Sequence, residues 1–185
     1  MNPSCNLFIV GPTGAGKTSV GRRLAVHYGL SFVDLDQEVE QHCGVDVGTV
    51  FEVEGEAGFR ERESARLDAL SQRSGVLLAT GAGAVLAADN RRWLARRGFV
   101  VWLQASIEQQ LERLERDHRR PLLAVPDRVA RLHAMAAARE PIYRELADLA
   151  VPGHHGSVGA ASERCIELID AHWQRESPFS SAHHA

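Results

Sequence analysis

A glycine-rich segment near the N-terminus, Gly11-Pro-Thr-Gly-Ala-Gly-Lys-Thr18, constrains what this chain can fold into more than any other feature. The segment fits the pattern G-x-x-x-x-G-K-[ST]. It stands between the apolar run Leu7–Val10 and a helical pattern, which is the context of a phosphate-binding loop. Glycines let backbone N–H groups approach phosphate oxygens, and the following helix presents its positive end to the same anion. The segment therefore predicts a nucleoside triphosphate site.

The side chains at the end of this loop have separate expected tasks. Lys17 is expected to reach the β and γ phosphates, and the Thr18 hydroxyl is expected to bind Mg²⁺. A chance match in a glycine-rich loop is the alternative, and we estimate fewer than about one such match per hundred chains of this size. The predicted ATP-binding residues of the loop are Gly14, Ala15, Gly16, Lys17, Thr18 and Ser19.

Short apolar runs alternate along the chain with longer amphipathic segments. This alternation predicts an α/β fold, a five-stranded parallel sheet with helices on both faces. The strands are predicted near 6–10, 31–34, 76–79, 99–103 and 148–151. The helices are predicted near 17–28, 58–72, 89–97, 106–117, 126–146 and 159–174. We expect one domain over residues 1–175 and a disordered tail over 176–185, because the tail lacks periodicity.

Composition and charge restrict the class of protein. The 185 residues suit one domain, and an apolar fraction of 44% is enough to bury a core. A net charge of −3 argues against a dedicated nucleic-acid binder, and no apolar run reaches the roughly 20 residues that cross a bilayer. The cysteines Cys5, Cys43 and Cys165 are scattered, which favours a reducing cytoplasm over a disulfide framework.

Two acidic residues, Asp34 and Asp36, end the second predicted strand. The carboxyl ends of parallel strands face the ligand crevice, and period-2 geometry would point both side chains the same way. One of them could bind Mg²⁺ through water while the other accepts a proton from a substrate hydroxyl. The alternative is a strand end that caps a helix starting at Gln37, and the residues alone leave both interpretations open.

Other nucleotide-dependent classes lack support in the sequence. A regulatory GTPase should carry an N-K-x-D segment, and the chain has none. The chain is short for a motor or remodelling ATPase, and the strand at 99–103 runs into Gln104-Ala-Ser rather than into acidic residues. These observations favour a small-molecule kinase.

Several motifs follow the phosphate loop in a fixed order. With the loop, they resemble the shikimate kinase family from about residue 6 to residue 150. The loop alone marks only a superfamily, whereas the ordered set with its spacing is specific to this family. The motifs are Asp34-Leu-Asp36-Gln, Gly55-Glu-Ala-Gly-Phe-Arg60-Glu-Arg-Glu63, Ala79-Thr-Gly-Ala-Gly-Ala-Val85, Arg119-Arg-Pro-Leu-Leu123 and Arg139-Glu-Pro-Ile-Tyr143.

The resemblance implies a nucleoside-monophosphate-kinase-like fold, a monomer, and transfer of the γ-phosphate of ATP to the 3-hydroxyl of shikimate. It also implies a mobile lid at about 112–124, in which Arg120 reaches the ATP phosphates. Lys17, Asp36 and Arg120 are the implied catalytic residues, and Thr18 and Asp34 are the implied Mg²⁺ ligands. The implied acceptor-binding residues are Asp36, Arg60, Gly81, Ala82, Gly83 and Arg139.

The chemistry of the arginines fits these roles. Shikimate is a carboxylate, and an arginine fork binds a carboxylate through two parallel hydrogen bonds. Glu63 stands three residues after Arg60 and can hold its guanidinium in place. Without the resemblance, Arg60 would be assigned to a solvated helix face, Arg120 to an ordinary charged loop and Arg139 to the surface.

One departure from the family pattern concerns Ala82, which stands where three consecutive glycines are usual. Alanine keeps the backbone N–H, so its methyl group matters only if the position needs a positive φ or if substrate packs on the Cα atom. This departure keeps open a related kinase of another hydroxy acid such as gluconate. A non-catalytic nucleotide-binding regulator is a separate alternative.

Overall fold

The structure is a computed structural model that describes residues 4–115, 121–123, 125–153 and 156–175. It contains five strands and seven α-helices within these ranges. The strands are β1 (Leu7–Val10), β2 (Ser31–Asp34), β3 (Val76–Ala79), β4 (Phe99–Leu103) and β5 (Leu149–Val151). The helices are α1 (Lys17–Tyr28), α2 (Leu35–Cys43), α3 (Val47–Ser71), α4 (Ala88–Arg97), α5 (Ile107–Leu114), α6 (Arg128–Leu146) and α7 (Val158–His172).

The five strands form one parallel sheet in the order β2-β3-β1-β4-β5. Alternate residues of a strand face opposite sides of the sheet. Leu7 and Ile9 of β1 accordingly join the core cluster under α1 and α7, whereas Phe8 and Val10 join the cluster under α3, α4 and α6. The predicted α/β sheet with helices on both faces is confirmed, and all five strands lie where the apolar runs placed them.

The sheet order brings the functional segments together. The first strand, β1, lies at the centre, between β3 and β4. The phosphate loop follows β1, Asp34 ends β2, and the Gly81–Gly83 turn follows β3. Because all strands are parallel, these segments leave the sheet at the same edge, where ligands bind in open α/β folds.

The second helix corrects the strand-based argument about Asp34 and Asp36. The sequence predicted that the strand end would cap a helix starting at Gln37, and a helix does follow, but α2 begins two residues earlier, at Leu35. Asp34 is its N-cap, and Asp36 already lies in the first turn. Strand periodicity therefore does not relate the two side chains, and the prediction that they point the same way as strand neighbours is wrong.

The third helix is longer than predicted. It begins at Val47, whereas the sequence pattern placed its start near residue 58. Gly55 interrupts it with φ 72° and ψ −177°, a backbone conformation that favours glycine and divides the helix into two parts. The second part presents Arg60 and Glu63 towards the edge of the sheet where the functional segments meet.

Two further expectations lie partly or wholly outside the described residues. Of the expected lid at 112–124, residues 116–120 and 124 are not described, and these include Arg120. The expected tail at 176–185 is likewise outside the described ranges. None of the helices in the described ranges is long and apolar enough to cross a membrane.

Candidate active site

The phosphate loop has the backbone geometry that its glycines predict. Gly14 and Gly16 adopt φ values of 73° and 90°, in the left-handed region. Lys17 begins α1, and its Nζ atom donates to the carbonyl oxygens of Gly11 and Pro12, each at 2.8 Å. The ammonium group is therefore held across the mouth of its own loop. Lys17 is also the only lysine among the 185 residues.

Thr18 and Asp34 form a pair of hard oxygen atoms beside the loop. The Thr18 hydroxyl donates to Asp34 Oδ2 at 2.7 Å. The other carboxylate oxygen, Asp34 Oδ1, accepts from the backbone N–H groups of Asp36 at 3.1 Å and Gln37 at 3.3 Å. Asp34 thus caps α2 with one oxygen, as the second sequence-based interpretation predicted, and accepts from the phosphate-loop hydroxyl with the other.

The turn after β3 packs against two carboxylates. A Cβ atom on Gly81 would stand 2.5 Å from Glu63 Oε1 and 2.8 Å from Asp36 Oδ1, so only glycine fits there without moving both groups. The two oxygen atoms therefore face the same side of the turn. Glu63 Oε1 is buried and accepts no hydrogen bond within the described ranges. The Asp36 carboxylate, which is only partly buried, can accept hydrogen bonds from the hydroxyls of a ligand.

Arg60 lies across the same turn and is held by two glutamates. Its Nη1 atom donates to Glu63 Oε2 at 2.6 Å, and its Nη2 atom donates to Glu56 Oε1 at 3.2 Å. The Arg60 side chain is 19% exposed and that of Glu63 is fully buried. The alternative of a solvated helix face is therefore wrong. The i+3 contact that the sequence predicted between Arg60 and Glu63 is confirmed.

The titration behaviour of this pair follows from its burial. Burial raises the pKa of Glu63 to about 7, against the opposing effect of the Arg60 charge. Burial alone would lower the pKa of Arg60, but the carboxylates of Glu63 and Glu56 raise it above its ordinary value. Arg60 therefore stays charged.

Arg139 reaches the site from α6. It is buried, at 6% exposure, so its expected surface position in the absence of the resemblance is wrong. Within the described ranges Arg139 forms no hydrogen bond or ion pair. Burial lowers its pKa, and the nearby charge of Arg60 lowers it further. A buried guanidinium without an anionic partner is costly, so this geometry suits a site that an anionic ligand completes.

A cavity of about 440 Å³ extends from the phosphate loop to α6. Thr13, Trp102, Gln110, Arg139 and Tyr143 are among the residues that line it. Sequence reasoning assigned no role to Thr13, Trp102 or Tyr143. Trp102 and Tyr143 come from apolar patterns, which indicate core residues rather than a ligand cavity.

The other side of the phosphate loop carries a second hollow, and apart from Ala15 the sequence assigned no role to the residues that line it. Arg113 of α5 donates to the carbonyl oxygens of Gly14 at 3.0 Å and Ala15 at 3.3 Å. The segment after β5 lines the same hollow, with Pro152 and Gly153 among its residues. No sequence motif marks this region, so only the fold identifies it.

The fold thus places the predicted residues in two groups that face each other. The nucleotide group is the phosphate loop with Thr18 and Asp34. The acceptor group is Asp36, Arg60, the Gly81–Gly83 turn and Arg139. A phosphate loop opposite one buried and one partly exposed arginine, with a carboxylate beside them, is the arrangement of a kinase for a small anionic acceptor.

Comparisons with known proteins agree with this class. Residues 13–170 match the family model for shikimate kinase. A shikimate kinase from Stenotrophomonas maltophilia (strain R551-3) is 48% identical over 176 residues, covering 95% of this chain and 98% of that protein. The structure of shikimate kinase from Acinetobacter baumannii in complex with shikimate has a TM-score of 0.88 at 42% identity, covering 91% of this chain and 94% of that chain. The chain therefore belongs to the shikimate kinase family.

This membership confirms the predicted enzyme class, the predicted reaction and ATP as the phosphate donor. A gluconokinase from Sinorhizobium meliloti 1021 has a TM-score of 0.55 at 16% identity, covering 92% of this chain and 94% of that chain. At that identity the likeness extends to the fold alone. It supports the predicted phosphate-loop kinase architecture and carries no argument for gluconate as the acceptor.

Proposed function

We propose that the chain transfers the γ-phosphate of ATP to the 3-hydroxyl of shikimate in the space between the phosphate loop and the Gly81–Gly83 turn. The observation that carries this proposal is the pair of arginines beside that turn, of which Arg139 is buried and Arg60 is 19% exposed. Shikimate has one carboxylate and three hydroxyls, and the site offers guanidinium groups for the former and carboxylates for the latter. The Acinetobacter baumannii relative was solved in complex with shikimate.

The nucleotide half of the proposal rests on the phosphate loop. Backbone N–H groups of residues 14–19 and the Lys17 ammonium would bind the phosphates. Thr18 Oγ1 and Asp34 Oδ2 would hold Mg²⁺, directly or through water. The donor set fits this ion, because Mg²⁺ prefers oxygen ligands and is usually bound by one or two protein groups together with phosphates and water. When bound, Mg²⁺ would neutralise part of the negative charge of the ATP phosphates.

The acceptor half assigns a task to each charged group. Arg60 and Arg139 would bind the carboxylate of shikimate, and Glu63 would hold the Arg60 guanidinium in place. Asp36 would accept the proton of the attacking hydroxyl as the phosphoryl group is transferred. Its Oδ1 atom lies beside Gly81, on the side of the turn that faces Glu63.

The remaining assignments are proposals with separate support. Arg120 would reach the ATP phosphates from a mobile lid, as the family motif implies. A monomeric, cytoplasmic enzyme that binds neither nucleic acid nor membrane fits the net charge of −3 and the three free cysteines.

An ADP-release assay tests the proposal directly. The protein is mixed with ATP and Mg²⁺, with and without shikimate, and ADP is measured over time. We expect ADP formation that depends on shikimate. Faster turnover with gluconate would favour the related kinase instead, and ATP binding without transfer to either acid would favour a regulator.

Arg139→Lys is expected to raise KM for shikimate by about 10- to 100-fold, because lysine cannot form the bidentate contact of arginine with a carboxylate. KM for ATP should change by less than about twofold. Initial rates over a range of each substrate measure both constants. Arg92→Lys on α4 is the matched control, since that arginine is exposed and, among the described residues, pairs only with Asp89. Equal effects of Arg139→Lys on the two KM values would contradict the assignment.

Gly83→Ala is expected to raise KM for shikimate at least about tenfold. The φ of Gly83 is −99°, which alanine adopts readily, but the new methyl group would overlap the guanidinium of Arg60. Arg60 would have to move, and its charge-assisted contact with the carboxylate would be lost. Ala82→Gly serves as the comparison and is expected to be nearly silent, because no described residue other than glycine has a positive φ. A KM within twofold of wild type for Gly83→Ala would argue against Arg60 as a carboxylate ligand.

A further inference from the structure

The middle peptide of the Gly81–Gly83 turn is held in an unusual way. The carbonyl oxygens of Gly81 and Gly83 accept short-range hydrogen bonds from the N–H groups of Ala84 at 3.2 Å and Leu86 at 3.0 Å. The carbonyl oxygen of Ala82 instead accepts from the Tyr143 hydroxyl at 2.6 Å, across 61 residues of sequence. The middle of the turn is therefore fixed by α6 and not by the turn itself.

Because the peptide bond is planar, the contact between Tyr143 and the Ala82 carbonyl also determines the direction of the Gly83 N–H. The chain has no cis peptide bond within its described ranges, and in a trans peptide the C=O and the following N–H point in opposite directions. Fixing the Ala82 carbonyl towards Tyr143 therefore directs the Gly83 N–H away from Tyr143. In the described part of the chain this N–H has no acceptor, and the Gly83 Cα atom lies against the Arg60 guanidinium.

Tyr143 is suited to hold another group in place. It is 1% exposed, and its ring stacks on Trp102 with the centroids 5.7 Å apart. It belongs to the core cluster on the face of the sheet that α3, α4 and α6 cover. Burial raises the pKa of its hydroxyl well above the ordinary value, so the group remains a neutral donor. A rigid side chain of this kind loses little entropy in orienting its partner.

Tyr143 lies on the same face of α6 as Arg139, which is proposed to bind the carboxylate of the acceptor. Residues four apart on a helix lie one above the other, and Arg139 precedes Tyr143 by four positions. The helix therefore sets the position of a guanidinium and of the turn together.

We propose that Tyr143 is a positioning residue for the acceptor: its hydroxyl fixes the Ala82–Gly83 peptide so that the Gly83 amide donates to a shikimate oxygen beside Arg60. The inference rests on the proposed function, since it concerns the same acceptor site. Tyr143 does not itself contact substrate or phosphate in this assignment. Its contribution passes entirely through the orientation of one backbone N–H group.

The test is Tyr143→Phe, which removes only the hydroxyl. We expect KM for shikimate to rise about five- to tenfold while KM for ATP stays within about twofold. We also expect the rise in Tm that saturating shikimate produces to be smaller than in the wild type. The matched control is Tyr28→Phe, because Tyr28 is the only other tyrosine of the chain and its hydroxyl donates to Asp170 at 2.8 Å, on α7.

Both tyrosine variants should lower the Tm of the free protein by about 2–4 °C, as the loss of one hydrogen bond does in a domain of this size. A purely structural role for Tyr143 predicts that lower Tm with both KM values unchanged, and that result would overturn the inference. The wild-type protein separates this outcome from failure of the proposed function. If the wild type shows no shikimate-dependent ADP release, the function is wrong. If it does and the KM of Tyr143→Phe is unaltered, only the role of Tyr143 is wrong.

Discussion

Lys17→Ala is expected to lower kcat about a thousandfold or more. Negative charge on the transferring phosphoryl group and on the leaving ADP is greatest in the transition state, where a preorganised ammonium group contributes most. The Nζ atom lies within the phosphate loop, where it donates to the carbonyl oxygens of Gly11 and Pro12. Steady-state ADP release at saturating shikimate and ATP measures the loss.

The control for this variant is Arg23→Ala. Arg23 is an exposed cation on the same helix, and its removal tests whether charge alone near the nucleotide site matters. We expect its kcat to stay within about twofold of wild type. Circular dichroism of Lys17→Ala should match that of the wild type, because the side chain is not part of the core. A kcat of Lys17→Ala above one tenth of the wild-type value would show that the loop acts without its lysine.

Asp36→Asn is expected to lower kcat by about 10²- to 10⁴-fold, the usual contribution of a positioned general base. Asparagine keeps the size of the side chain and one acceptor oxygen, but it cannot take the proton of the attacking hydroxyl. KM for shikimate should change far less than kcat. Single-turnover measurements with preformed complex distinguish the two effects.

The neighbouring acid provides the contrast for Asp36. Asp34→Asn keeps an efficient N-cap for α2, since asparagine and aspartate cap helices about equally well. Its proposed task is to support Mg²⁺, so a higher Mg²⁺ concentration should restore much of its activity. Asp36→Asn should not respond to added Mg²⁺. If Mg²⁺ rescued Asp36→Asn instead, Asp36 would be a metal ligand and not the base.

The strands and the phosphate loop could be predicted from the sequence because their signals are local. Continuous apolar runs identify strands that are covered on both faces, and the glycine pattern identifies the loop. The start of α2 could not be predicted in this way. Asp34 ends a strand and caps a helix at the same time, so the change from period 2 to period 3.6 occurs within two residues. Gly55 interrupts the helical pattern in the same way, so the part of α3 that precedes it was not predicted.

The site was predicted through the family resemblance more than through local chemistry. Arg60 and Arg139 would each be assigned to the surface from their neighbours in sequence, yet both are largely buried. Their burial results from α3 and α6 meeting at the edge of the sheet, which no local pattern encodes. The contact of Tyr143 with Ala82 is even harder to predict from local patterns, because the two residues are 61 positions apart in the sequence.

The chain has a single lysine, and that lysine lies in the phosphate loop, whereas the other twenty of its 21 lysine and arginine residues are arginines. Its ε-amine is therefore the only side-chain primary amine among the 185 residues. Modification of side-chain amines by an amine-selective reagent would occur at Lys17 alone, and protection by ATP would report on occupancy of the nucleotide site. By the same chemistry, coupling of this protein to a resin or a dye through a lysine side chain would attach it by the group proposed to bind the phosphates.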